Sequence, residues 1–173
     1  MESGEPFFKF GPGSPENFLG YNEFDQTPKA ALTWAPHVRD WRAGDPAWGA
    51  NRQRGKGIIG VVNYLADMGM TSVYLLSMTV DGDSKDVWPW VAERDFRRFD
   101  VSKLAQWNIV FDHMQHRGLA VHMLQQEQEN DQLLGSLSTE RKLYYRELIA
   151  RFVADQLLKR KTRAKERRKK EKG

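Results

Sequence analysis

Two stretches of the chain repeat one order of elements, and that order limits the folds open to it. The run "IIGVVNYLADMGM" sets Ile58, Val61, Val62, Leu65 and Met68 at helical spacing, and Gly69 is a natural stop. "TSVYLLSM" follows as a short apolar run of the kind a strand buried on both faces shows. A polar loop then leads to Asp100, a candidate N-cap for "VSKLAQWNIVFDHMQHRG", where Leu104, Trp107, Phe111 and Met114 form one stripe and Gly118 ends the helix. "LAVHMLQQ" reads as a second apolar strand and "EQENDQLLGSL" as a second polar loop. Ser138 is placed to cap a third helix with Leu143, Leu148 and Phe152 facing inward. Helix, strand and long loop in alternation predict an α/β fold built of βα units around a parallel sheet. In such folds ligands bind at the C-terminal ends of the strands, where both polar loops lie. Two strands neither close a barrel nor fill a sheet of ordinary width. Either the first third of the chain hides strands, or the chain is one piece of a larger fold.

That first third, residues 1–56, is rich in Gly, Pro, Asn and aromatics and carries no sustained periodicity. It is predicted to be an irregular lead-in that wraps a core built by residues 57–154. Residues 155–173 form a basic, low-complexity tail, helical or disordered. Hydrophobic residues make up 40% of the chain, so the body is expected to be globular. The net charge of +4 belongs to the tail: residues 159–172 hold ten Lys or Arg and two Glu, and the remainder is mildly acidic. A nucleic-acid partner is therefore expected only through residues 159–172. No cysteine is present, which excludes disulfides and thiolate metal sites without fixing the compartment. No run approaches the length of a membrane span, so no membrane partner is expected, and the N-terminal stretch lacks the pattern of a secretory signal. Localisation stays open.

Several chemistries fail on spacing. In "GANRQRGKG" five residues separate Gly49 from Gly55, and Gly57 stands where a phosphate loop needs Ser or Thr. "DGDSKD" begins like a calcium loop, but Lys85, Asp86 and Ala92 occupy positions that want an oxygen ligand, glycine and glutamate. His113 and His116 lie one helical turn apart without a third ligand, and read as solvent-facing side chains. No metal and no cofactor are expected, and no Gly-x-Ser-x-Gly elbow is present. Two loops remain. The first carries Asp81, Asp83 and Asp86, then Trp88 and Trp90 around Pro89. Exposed indoles stack on sugar faces and carboxylates accept hydrogen bonds from hydroxyls, which suits a carbohydrate cleft. On residue type alone, burial is the commoner fate of tryptophan. The second loop, "QQEQEND", offers Gln125, Gln126, Glu127, Glu129, Asn130 and Asp131, some for a cleft and some for solvent.

The segments "SPENFLGYNEFD", "GKGIIGVVNYLADMGMTSVYLLSM", "DGDSKDVWPW", "RFDVSKLAQWNIVFDHMQHRGLAVHMLQQEQENDQLL" and "ERKLYYRELIARF" carry a more specific signal. Together, from about Phe7 to Phe152, they resemble a bacterial glycoside hydrolase family with a TIM-like barrel. Its members often carry an N-terminal β-sandwich and sometimes a C-terminal collagen-binding domain. The resemblance implies a partial (βα)8 TIM-like barrel, a polysaccharide substrate, and a cleft wall at the Asp/Trp loop. Asp86, Trp88, Trp90, Gln126, Glu127, Asn130 and Asp131 match motif positions and become the expected substrate-side residues. It also implies a further strand and an acidic "GEEN"-like segment after "RELIARF", where the chain instead reads "VADQLLKRKTRAKERRKKEKG". No catalytic residue is carried over for that reason. The chain is expected to be the N-terminal part of the barrel and inactive by itself. The rival expectations are a carbohydrate-binding remnant without catalysis and a binder of nucleic acid or an acidic surface through the tail.

Overall fold

The computed structural model describes residues 6–27 and 30–154. The chain divides between Leu133 and Leu134 into two compact units, described separately below. The fold is mixed α/β with a two-stranded parallel sheet. The basic tail, and with it residues 159–172, lies outside the described residues.

In the first unit, helix α1 spans Lys56–Asp67 and starts from Gly55, whose φ of 92° favours glycine. Every residue from Gly57 to Asn63 is buried, because the 3₁₀ turn Ala35–Asp40 packs across the face that a surface helix would show to water. Gly60 permits this approach: a Cβ there would lie 1.8 Å from the His37 carbonyl oxygen. Gly60→Ala is expected to lower the unfolding free energy by roughly 2–3 kcal/mol, since neither backbone can yield without repacking. An unchanged urea midpoint would show that the turn does not sit on α1. The helix emerges into solvent after two turns, so Met68, expected on the inner stripe, is 57% exposed.

Strand β1, Ser72–Leu76, pairs in parallel with β2, Ala120–Leu124, in the register Ser72↔Ala120 to Leu76↔Leu124. β1 is almost wholly buried, as its unbroken apolar run predicts, whereas β2 is half-buried. The second edge of β1 is also occupied. The amides of Ser72, Tyr74 and Leu76 donate to the carbonyls of Phe10, Pro12 and Glu16 at 3.0, 3.3 and 2.9 Å. Residues 10–16 thus run beside β1 in the same direction, a third parallel segment inside the lead-in. Pro12 and Pro15 have no N–H to return, which keeps this pairing one-sided and irregular. Gly11 brings the two backbones together, since a Cβ there would meet the Ser72 carbonyl at 1.7 Å.

Helix α2 spans Val101–His116 and begins at Asp100, whose carboxylate accepts from the Lys103 amide at 2.9 Å. Leu104, Trp107, Phe111 and Met114 are all fully buried, the stripe that their spacing predicts. Trp107 joins an aromatic cluster from the lead-in, where Phe24 stacks on Trp48 at 5.4 Å and Tyr21 meets both edge-on. His113 is a correction to the sequence reading: it is buried, with Nε2 2.9 Å from Asn63 Oδ1. Asn63 in turn donates to the Asp40 carbonyl and to Asp45 Oδ2, so a polar link crosses from α1 to α2.

In the second unit, Ser138 caps helix α3, Thr139–Leu148, by accepting from the Arg141 amide at 3.0 Å. The helix continues as a π-helical stretch, Ile149–Ala154. Tyr144, Leu148 and Phe152 are buried at four-residue intervals. Leu143 is half-exposed instead of inward, because that four-residue period puts Tyr144 on the buried face.

Candidate functional site at the ends of the parallel strands

Beyond Leu76 the chain keeps to the sheet for one more residue, as the Ser77 amide donates to the Leu124 carbonyl at 3.1 Å. Thr79 then folds the loop back on itself. Its amide donates to the Val87 carbonyl at 3.0 Å, and its hydroxyl accepts from the amides of Asp86 and Val87. This turn delivers Asp86 into the interior, where it is 2% exposed. Asn17 donates from Nδ2 to Asp86 Oδ2 at 2.9 Å, and Gly20 leaves room for the carboxyl, since a Cβ there would lie 2.4 Å from Oδ2. Burial raises the Asp86 pKa above the ordinary carboxylate value, against the pull of Asn17, Ser84 and the Ala31 amide.

The two tryptophans do not form the exposed stacking platform expected of them. Trp88 is 2% exposed and Trp90 fully buried, Trp90 lying edge-on to Phe96 at 5.0 Å. Behind this turn lies Lys103 of α2, a side chain not singled out in the sequence. Lys103 is fully buried, with Nζ donating to the carbonyls of Gln26, Trp88 and Trp90 at 2.8, 3.2 and 3.4 Å. Its ammonium also sits 5.0 Å from the centroid of the Trp88 ring. One cation thus ties the Trp-Pro-Trp turn and the lead-in to α2. Burial pulls its pKa down to about 8, opposed by the carboxylates of Asp100 and Asp25.

The second loop closes onto the first. The Glu127 carboxylate rests on Gly82, where a Cβ would lie 2.1 Å from Oε2. Asn130, fully buried, accepts from the Asp81 amide at 2.8 Å, while its Nδ2 finds no hydrogen-bond partner among the described residues. Burial raises the Glu127 pKa, helped by the carboxylates of Glu129, Glu16 and Asp83 and opposed by the Asp83 amide. Gln126 donates to Asp131 Oδ1 at 3.1 Å on the rim, where Asp131 is exposed. The seven expected residues are therefore split. Asp86, Trp88, Trp90 and Asn130 are interior, Glu127 and Gln126 are partly open, and Asp131 faces solvent.

Glu16 and Tyr74 also belong here and were not singled out in the sequence. Tyr74, mid-strand on β1, hydrogen-bonds Glu16, and burial followed by the charges of Glu16 and Glu127 raises its phenol pKa. Only the hydrogen bonding of residues 10–16 to β1 brings Glu16 to this edge. Among the described residues no group of three or more histidines and carboxylates is arranged to hold a metal ion, and no helix is long and apolar enough to cross a membrane. What the fold and site define is a mixed α/β protein with a polar, acid-lined edge at the C-terminal ends of its parallel strands. No protein-family model, no curated protein and no solved structure matches the chain.

Proposed function

We propose that this chain is the first part of a TIM-like glycoside hydrolase barrel, binding a polysaccharide at the C-terminal ends of its parallel strands. The observation that carries this reading is the parallel sequence of residues 10–16, β1 and β2, neighbours in space in the order of the chain, with α1 and α2 on the two crossovers. Such winding continues into an open sheet or a closed barrel. The motif resemblance over Phe7–Phe152 favours the barrel. Of the expected residues, Glu127 is the partly open carboxyl that rests against the first loop at Gly82, so it takes the substrate-side role. Asp86, Trp88, Trp90 and Asn130 form the wall behind it, and Gln126 and Asp131 the rim. Hydrolysis by this chain alone is expected to stay at background, because the resemblance places the catalytic carboxylates in an acidic segment after "RELIARF", where this sequence reads "VADQLL".

Affinity electrophoresis through gels cast with a panel of polysaccharides tests the reading. At least one polysaccharide is expected to retard the full chain, and Glu127→Gln to weaken that retardation severalfold. A folded chain that runs unhindered through every gel would overturn the reading.

A further inference from the structure

In the second unit, one face of α3 is left open by the packing and has no part in the carbohydrate reading. Tyr144, Leu148 and Phe152 take the buried side of the helix, so the rows beside them turn outward. Arg141, Tyr145 and Ile149 follow one another at four-residue intervals, and Lys142 and Arg146 form the next row. Ile149 is exposed, and Leu137, just before the helix, is 82% exposed. Leu137 is held in that position. Its stretch is fastened to the first turn, as Arg141 Nε donates to the Gly135 carbonyl at 2.6 Å and Ser138 Oγ donates to the Leu134 carbonyl. A groove of about 710 Å³ runs along this face, with Leu137, Tyr145 and Ile149 as its apolar surface and Arg141, Lys142 and Arg146 around them.

The charges of the groove have one sign. Among the described residues no carboxylate lines it, and no ion pair engages Lys142 or Arg146. Glu147, on the same helix, is taken up by Arg151, whose Nε donates to Glu147 Oε1 at 3.0 Å. An apolar surface fringed only by cations is complementary to a partner that carries acids beside its apolar side chains. The same sign disfavours two nearer occupants. The basic residues 159–172 are repelled by it, and a second copy laid groove on groove sets cation against cation. The form of the partner follows from the spacing, since apolar side chains one helical turn apart, set in a groove, receive those of a second helix. We propose that this groove docks an acidic amphipathic helix of a partner protein, its apolar side chains on Leu137, Tyr145 and Ile149 and its carboxylates toward Lys142 and Arg146. The inference stands apart from the carbohydrate reading above.

Fluorescence anisotropy tests it, with the full chain titrated into a labelled peptide that carries Leu at alternating three- and four-residue intervals and Glu between. Saturable binding is expected, weakening as salt is raised, with none to the counterpart that has Lys in place of Glu. Lys142→Glu combined with Arg146→Glu should cost about tenfold, the worth of two exposed ion pairs, while the basic tail is untouched. Leu137→Ser should cost about fivefold through lost apolar contact. All three positions are exposed, so the variants are expected to keep the circular dichroism of the wild type. Binding that both variants leave intact belongs to the tail and overturns the groove as the site. Equal binding of the Glu and Lys peptides, or of neither, overturns the acidic partner. Binding to vesicles containing phosphatidylglycerol, without binding of the Glu peptide, assigns the face to a membrane surface and overturns the proposal.

Discussion

Trp90→Ala is expected to destabilise the protein by about 3–5 kcal/mol, the range for removing a fully buried large aromatic. Trp90 has no exposed surface, packs against Phe96 and bridges to Phe99. The turn that holds it is closed on both sides: the Asp100 amide donates to the Pro89 carbonyl at 2.9 Å and the Val91 amide to the Arg98 carbonyl at 3.0 Å. An alanine leaves a cavity at the root of α2 that this closed turn fills only partly. Against a total stability of about 5–15 kcal/mol, the loss leaves a marginal or unfolded chain. Urea denaturation followed by circular dichroism reads it directly. A variant that unfolds at the wild-type midpoint but no longer binds polysaccharide would restore the stacking platform in place of the buried anchor.

The second large effect is a pH dependence with one residue as its source. Lys103 has its pKa lowered to about 8 in the folded chain, chiefly by burial, against 10.5 for an unhindered lysine. Between these values the unfolded chain binds the proton and the folded chain does not, so stability rises with pH across that window. Below pH 8 both states carry the charge and the full cost of burying it is felt. The shift corresponds to a gain of about 3 kcal/mol on going from pH 8 to 10.5. Lys103→Met, of similar length without the charge, is expected to flatten this slope. The phenols of buried Tyr21 and half-buried Tyr74, raised above 10.0 by desolvation first, pull the other way at the top of the window. The informative comparison is therefore wild type minus variant between pH 8 and 10. Equal slopes in the two proteins would mean that Lys103 is hydrated and does not clamp the Trp-Pro-Trp turn.

The parts of the fold that were legible in the sequence are those where one local signal decides. Asp100 and Ser138 announce their helices because a short oxygen side chain satisfies an otherwise unpaired amide. Gly69 and Gly118, at φ 78° and 82°, mark stops that few other residues can adopt. The third parallel segment was not legible, because Gly11, Pro12, Gly13 and Pro15 erase any alternation and the pairing uses its carbonyls alone. The site divides along the same line. That loops 77–90 and 125–131 share one edge followed from the order of elements. That Glu127 would sit over Gly82, or that Lys103 would be buried under two tryptophans, depends on meetings of residues far apart in the chain. Tryptophan itself is ambiguous, since an indole that packs inward and one that stacks on sugar have the same spelling. Here both rings went inside, the commoner fate of the residue type.

The pairing of residues 10–16 with β1 also sets a timetable. The Phe10 amide meets Thr71 Oγ1 across 61 residues, and β1 meets β2 only after α2 has been made. Contacts of such long range are formed late and slowly, since the intervening chain must be ordered first. During synthesis Phe10 therefore waits, unpaired, for a strand more than sixty residues behind it. A nascent chain stalled before Leu76 is expected to be the species most in need of a chaperone.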